Sequence, residues 1–471
     1  MPINGSFSSF SKNGFSPFTT TTLVGNQYVV SGAFGQMVVS DSGNVYFSQV
    51  YGSSTGLNIG KFNSNGNYIF AKEVTNGNLT GPTDPYNSFL IDSSENIFAA
   101  GENFVGNVSS AEIVKFDNST GNISWQHKFP QYTGNANLNV VLTGLETIFD
   151  STDNTLMTMI TSSADYNHHA AIVKSNISTG ATINQRDIWT NIANSINYTG
   201  LAYVQTFGFS LDPINNKCVA TGFTNDAGGN SVYLIGTYNL TNTGNSNPVI
   251  CLYTNYTSPG AAAVSDSSTT ISDGTYYYTI CALNEVPYPY EYSYVTKLNI
   301  SNGAVVFNNY YSNSTPLLIT ELCLENTNNF IFITGCLNQS SGYCYLAKIR
   351  ADNGNIVWQK QITVSSVVAA VSSGLYWKNG YVYATYRFES TGDPTIDKDY
   401  LIKIKDNGTV VGTYGNLIIS DASCSVTNNT SYFTSVNILN DTTSNITLGS
   451  SNSSMTTVAL SSSYFTTTII P

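Results

Sequence analysis

Few side chains in this 471-residue sequence can do acid–base, nucleophilic or metal chemistry, and they are scattered. The three histidines are His127, His168 and His169. The last two are adjacent in SADYNHHAAIVK, near Asp165, and neighbours in an extended chain point to opposite sides, which makes a poor metal pair. Carboxylates crowd once, in RFESTGDPTIDKDYL, as Glu389, Asp393, Asp397 and Asp399. Hard cations want several oxygens, so Asp393, Asp397 and Asp399 are the candidate metal ligands. The fixed spacing of a calcium loop is missing, however, and a solvated loop has the same composition. No Ser/His/Asp arrangement, phosphate-binding glycine loop or His-Glu-x-x-His motif can be read. The expectation is a chain with no catalytic residues, no cofactor and no metal.

The most unusual local feature is VPYPYEYSY, from Val286 to Tyr294. Two prolines stiffen it, and Tyr288, Tyr290, Tyr292 and Tyr294 crowd together. Rigid aromatics with polar tips suit recognition of glycans or protein surfaces at low entropy cost. The same rings also suit packing on one another or on a neighbouring sheet. Of the seven cysteines, none has metal-site spacing. Cys336 and Cys344 flank LNQSSGY, where a hairpin would set them face to face. They are either a disulfide or two small buried hydrophobes. The odd count leaves at least one thiol unpaired.

The elements that must position these residues repeat seven times. The clearest copies are NIFAAGENFVGNVSSAEIVKFDNSTGNISWQHKF, Asn96 to Phe129, and NNFIFITGCLNQSSGYCYLAKIRADNGNIVWQKQI, Asn328 to Ile362. Each reads as an apolar strand, a polar loop, a strand ending in Lys plus an apolar residue, an Asn/Asp-Gly turn and a further strand. Upstream lies a shorter apolar stretch, such as FLIDSSE before Asn96, which makes four strands per unit. The markers Lys61, Lys115, Lys174, Lys297, Lys348 and Lys403 lie about 50 to 60 residues apart. One copy, SVYLIGTYNLTNTG, carries Gly236 in or beside the Lys position. Turns such as Asn65-Gly66-Asn67 and Asn302-Gly303 offer the positive φ that tight hairpins need. No 3.6-residue periodicity suggests a helix.

An Asp-Ser-x-Gly-Asn-x-Tyr strand, an apolar-Lys-apolar strand and Gly-Asn-x-x-Trp together resemble the bacterial and archaeal seven-bladed β-propeller repeat, a relative of quinoprotein-type propellers. The resemblance covers about residues 24 to 420 and implies an all-β, seven-bladed propeller of four-stranded antiparallel blades. It implies no fixed catalytic residues. The expected organisation is an N-terminal arm over 1–23, the propeller over 24–419 and a Ser/Thr/Asn-rich β extension over 420–471. Thr409 to Ile418 is expected to form the last fourth strand, with Gln27 to Val30 either joining that blade or serving as a lead-in arm. In a propeller, strand 2–3 loops and blade-to-blade loops share one face. That face would gather Tyr288, Tyr290, Tyr292, Trp189, Tyr132 and His168 as candidate binding residues. Trp125 and Trp358 recur at equivalent fourth-strand positions and read as blade packing.

Charged residues make up 10% of the chain and the net charge is −12. No basic footprint exists, so nucleic acid is not an expected partner. No segment is long enough for a transmembrane helix. The N-terminus, MPINGSFSSFSKNGFS, has neither the basic nor the apolar part of a signal peptide. Asn-x-Ser/Thr triplets are abundant, among them Asn78, Asn118, Asn122, Asn176, Asn197, Asn299, Asn338 and Asn445, though the Asn/Ser/Thr-rich composition accounts for most of them. The Lys-poor, Asn/Ser/Thr/Tyr-rich style resembles structural proteins of viruses of hyperthermophilic archaea. The resulting expectation is a non-enzymatic structural and recognition protein, on a virion surface or extracellular. Its expected partners are other virion or surface proteins and host glycans. The alternative is an extracytoplasmic propeller enzyme, quinoprotein-like or glycan-cleaving.

Overall fold

The structure, a computed structural model, describes residues 19–23, 27–32, 34, 36–50, 57–75, 79–80, 89–105, 108–128, 142–150, 154–164, 167–188, 204–212, 217–225, 231–239, 250–254, 270–284, 291–313, 315–325, 327, 329–337, 342–365, 367, 369–389, 398–428, 433–436 and 456–459. Among the described residues there is no helix, and the strands fall into seven four-stranded antiparallel units.

The first unit comprises Met37–Val39, Val45–Val50, Leu57–Phe62 and Tyr68–Thr75. The second comprises Phe89–Ile91, Ile97–Val105, Val108–Phe116 and Ile123–Lys128. The third is Leu142–Asp150, Thr155–Ala164, Asn167–Asn176 and Thr182–Ile188, and the fourth Val204–Asp212, Lys217–Asn225, Ser231–Asn239 and Ile250–Thr254. Thr270–Ser272, Tyr276–Asn284, Glu291–Asn299 and Val305–Asn313 make the fifth. Thr315–Leu324, Phe330–Leu337, Tyr343–Arg350 and Ile356–Val364 make the sixth.

The seventh unit has Ala369–Lys378, Tyr381–Glu389 and Lys398–Lys405, and takes its fourth strand, Gln27–Gly32, from the other end of the chain. Thr409 to Ile418 therefore does not fill that place. The sequence offers two apolar stretches for one position, and Tyr28, which lies against Gly66 of the first unit, marks the N-terminal one as the match. The first strands touch in succession, and that of the seventh unit returns to that of the first. This is the β-propeller arrangement expected from the repeat.

The core lies between units rather than within them. Val38, Tyr46, Ile59 and Phe70 of the first unit pack on Phe89, Ile97, Val114 and Phe116 of the second. Tyr28, Val30, Tyr383 and Leu401 of the seventh pack on Phe34, Val39, Val45 and Phe47 at the start of the first. Both faces of a central strand are buried, which explains the near-continuous apolar runs such as YLIKI around Lys403. A register shift follows the marker Lys against the fourth strand in five units, at Lys61, Lys115, Lys174, Lys297 and Lys348. Such a bulge adds twist and re-aims the chain into the next turn.

That turn is where units meet. Gly66, Gly121, Gly180 and Gly408 have φ of 79°, 69°, 74° and 69°. A Cβ there would come within 3.1 Å of Tyr28, 2.7 Å of Phe70, 2.8 Å of Trp125 and 2.5 Å of Trp358 respectively. Each of these rings belongs to the fourth strand of the preceding unit. Gly is thus required twice, for the left-handed backbone and for contact with a ring face.

Two glycines separate those requirements. Gly408→Ala meets both the strain of positive φ, about 1–2 kcal/mol, and the clash with Trp358, about 1–3 kcal/mol more. Gly380→Ala, at φ 78° with no atom within 4 Å, meets the first alone. Denaturant unfolding of the two variants is expected to place Gly408→Ala clearly below Gly380→Ala in stability.

Candidate functional site

Two ends of the propeller differ in kind. One end carries the turns between first and second strands and between third and fourth strands. The other carries the loops between second and third strands and those between units.

At the turn end, Asx side chains cap the third-to-fourth turns. Asn63 Oδ1 accepts the Asn65 and Asn67 amides at 3.0 Å. Asn176 Oδ1 accepts from Ser178 N at 2.8 Å and Thr179 N at 3.1 Å. Asp117 Oδ1 takes the Ser119 and Thr120 amides and hydroxyls, which hold its carboxyl at about 2, below the ordinary 3.8. The marker lysines then bind the turn of the following unit. Lys297 Nζ donates to Ala351 O at 2.7 Å, Lys61 Nζ to Asn118 O at 3.3 Å, and Lys403 Nζ to Ser64 O at 2.9 Å. Lys348 instead meets Glu325 at 3.3 Å and Asp406 at 4.0 Å. Each ammonium also lies over rings of its own unit, as Lys297 does over Tyr276 at 3.9 Å and Lys403 over Tyr381 at 4.5 Å. Burial lowers the pKa of Lys297 and Lys403, and the carbonyl and ring faces supply what water would otherwise give. The indoles of Trp125 and Trp358 add N–H donation to Ile177 O at 3.2 Å and Asp406 O at 2.9 Å. Both tryptophans are therefore packing between units.

Glu95 extends this network. It occupies a left-handed backbone position, φ 62°, where the matching turn of the first unit has Gly43. Non-glycine residues there are strained and persist when their surroundings hold them. Glu95 accepts from Ser42 Oγ at 2.5 Å, Asn44 Nδ2 at 3.1 Å and the Tyr46 hydroxyl, and stands 3.5 Å from Lys61. Burial alone would raise its pKa. The hydrogen bonds from Ser42, Tyr46, Asn44 and Ser40 outweigh it and hold the carboxyl at about 2.

Tyr288, Tyr290, Tyr132, Trp189, Asp393 and Asp397 lie outside the described residues. Tyr292 pairs across the ladder with Leu283 in the fifth unit, next to the expected loop. Tyr294 is a core residue: 2% exposed, it makes a T-shaped contact with Tyr310, centroids 5.6 Å apart. His168 and His169 stand in the third strand of the third unit, opposite Ser163 and Ser162, not in the loop where the sequence suggested them. Asp399 Oδ2 accepts the Phe34 amide at 2.8 Å, which ties the seventh unit to the chain leaving the N-terminal strand. Among the described residues no group of three or more His, Cys, Asp or Glu is placed to hold a metal.

Cys336 and Cys344 face each other across the ladder of the sixth unit, as their spacing suggested. They are buried thiols rather than a disulfide, and burial raises the Cys344 pKa far above its ordinary value. Three of the Asn-x-Ser/Thr sites are turn residues. Asn176 caps its turn as above, Asn299 Oδ1 accepts Ser301 N at 2.8 Å and Ser301 Oγ at 2.6 Å, and Asn118 Nδ2 donates to Ser94 O at 2.6 Å. Asn176 and Asn299 thus cap their turns through the amide of the triplet's own Ser. Asn78, Asn197, Asn338 and Asn445 lie outside the described residues.

Sequence reasoning missed Glu95 and Gln359. Gln359 Oε1 accepts from Tyr345 Oη at 3.0 Å and Cys424 N at 2.9 Å, anchoring the C-terminal segment. For Glu95 a signal existed: SSEN occupies the place of DSGN. For Gln359 there was none, because its partner lies 65 residues away.

Lys403→Met removes a buried charge-assisted hydrogen bond between the seventh and first units and is expected to cost about 1.5–3 kcal/mol. Lys378→Met breaks a pair with Asp41, which is 94% exposed, and is expected to cost less than about 1 kcal/mol. Thermal or urea unfolding separates them. Glu95 has a depressed folded-state pKa, so its contribution is present above the ordinary value of 4.5 and is lost as pH falls toward about 2. Urea midpoints measured across that window should fall for the wild type and change less for Glu95→Gln, which starts lower.

No family model matches the chain, and no curated protein matches it. Solved structures similar to it include the polysaccharide lyase Uly1, at 10% identity over 85% of this chain and 94% of that one, with a TM-score of 0.48. The Dos1 propeller is 10% identical over 82% of each chain, with a TM-score of 0.43. The β-propeller domain of the Trilobed protease from Pyrococcus furiosus is 10% identical over 86% of this chain and all of that one, at 0.41.

Proposed function

We propose that this chain is a non-enzymatic structural and recognition protein, displayed on a virion or cell surface, that binds a glycan or protein through its loop end. The observation that carries this reading is where the charges go. Lys61, Lys297, Lys348 and Lys403, with Glu95 and Asp406, are engaged in holding one unit to the next. Charge in this Lys- and Arg-poor chain thus serves the scaffold. Six of the seven copies keep the marker Lys, and the copies diverge in sequence between the second and third strands, most of all in the stiff, Tyr-rich Val286–Tyr294 segment. Tyrosine supplies large contact area with few torsions to freeze, which suits an uncharged polar ligand such as a glycan.

Purified protein tested against a glycan array, intact cells and candidate surface proteins should bind at least one of them. Tyr288→Ala and Tyr290→Ala should then weaken binding about 10- to 100-fold, the range of an interface hot spot, with the unfolding midpoint unchanged. Absence of binding to every surface tested, or turnover on a sugar panel or a bound-quinone absorption spectrum, overturns the proposal in favour of a propeller enzyme.

A further inference from the structure

Lys348 differs from three other marker lysines in what it meets. Lys61, Lys297 and Lys403 each donate to a backbone carbonyl of the following unit. Lys348, in the third strand of the sixth unit, instead stands between two carboxyl side chains. Its Nζ lies 3.3 Å from Glu325 Oε1 of its own unit and 4.0 Å from Asp406 Oδ2, in the turn after the third strand of the seventh. The side chains of Lys348, Glu325 and Asp406 are 11%, 12% and 24% exposed.

Each partner is held in place. Asp406 N donates to Gly380 O at 3.1 Å, and Trp358 Nε1 of the sixth unit donates to Asp406 O at 2.9 Å, so the backbone is pinned on both sides. Trp377 Nε1 donates to Asp406 Oδ2, the oxygen that faces Lys348, at 2.9 Å. Glu325 Oε2 accepts from Thr327 Oγ1 at 2.6 Å, and Oε1 accepts from Lys348. The rings of Phe330 and Phe332 cover the amine, their centroids 4.3 Å and 5.2 Å from Nζ. An amine, a carboxyl carbon, a carboxylate touching the amine and an N–H on the carboxyl oxygen are the parts of an acyl transfer.

We infer that Lys348 and Asp406 condense to an amide, a side-chain cross-link between the sixth and seventh units. Glu325 takes a proton from the ammonium, and the freed amine nitrogen attacks Cγ of Asp406. Negative charge collects on Oδ2, where the Trp377 N–H meets it. The bond from Cγ to Oδ1 then breaks. The two protons lost by nitrogen leave with that oxygen as water, relayed by Glu325, which ends as the carboxylate it began as. The step needs no oxidant or other reagent, and a positive and a negative charge disappear together. Reaction requires about 3–3.5 Å between the joining atoms, and the flexible lysine stem supplies the approach. Exclusion of water by the rings favours the amide over its hydrolysis. The bond would lie beside the contact of Gly408 with Trp358 and make that junction covalent. It is independent of what the loops bind.

Intact mass spectrometry of the denatured full chain tests this directly. The wild type is expected to be lighter than its sequence mass by one water. Proteolysis should release a branched peptide that joins the segments holding Lys348 and Asp406. Lys348→Arg keeps a cation in place and should restore the full sequence mass. In freshly made Glu325→Gln protein the cross-link should form about 100-fold more slowly or not at all, as for loss of a general acid–base. Circular dichroism checks that each variant folds. A wild-type chain of full sequence mass overturns the inference, whatever the variants do. So does a water deficit that persists in Lys348→Arg or that maps to another pair of residues. Cross-linking of Glu325→Gln at the wild-type rate overturns the part given to Glu325.

Discussion

The contact on which the rest of this structure depends is that of a ring on a glycine. In the first, second, third and seventh units the turn after the third strand presents a glycine with positive φ to an aromatic side chain from the preceding unit, as Gly180 does to Trp125 and Gly408 to Trp358. The contact is short because no Cβ intervenes, and it brings the turn carbonyls within reach of the indole N–H and the marker lysine. A sheet of four strands cannot bury both of its faces alone. Units that dock through this contact bury both, and the core clusters accordingly lie between units.

Charge follows from that arrangement. An ammonium such as Lys403, 5% exposed, is costly unless its donors are met. Carbonyl oxygens of the neighbouring turn and the faces of Tyr28, Tyr381 and Tyr383 meet them. Carboxylates are treated likewise, and Glu95 accepts a strained backbone to reach three donors on the first unit. The sequence has only 46 charged side chains, 17 basic and 29 acidic, and several of them are used in this way.

Much of this was legible in the sequence because the repeat writes it locally. The Lys markers, the Asn/Asp-Gly turns and the fourth-strand Trp residues all stand where their spacing placed them. The opposed Cys336 and Cys344 followed from one hairpin. What failed to show were contacts between distant segments. Gln27–Gly32 and Thr409–Ile418 are equally apolar, and only the Tyr28–Gly66 contact tells which completes the seventh unit. Tyr294 belongs to a tyrosine cluster in sequence, yet strand alternation turns it into the core against Tyr310. The clamp of Gln359 on Cys424 has no local signature at all.

The C-terminal strands bear on a problem that the low charge creates. Sheet edges invite pairing with other chains, and proteins usually guard them with lysine, proline or bulges. Seven units expose seven outer edges, and this chain has few lysines to spend on them. Leu417–Asp421, Ser425–Asn428, Phe433–Val436 and Thr456–Ala459 use strand pairing itself as the guard, and Thr19–Leu23 does the same at the seventh unit. An edge already paired to its own chain is closed to strand addition by a partner. At the turn end the backbone groups are likewise taken up by Asx caps and by the neighbouring unit's lysines.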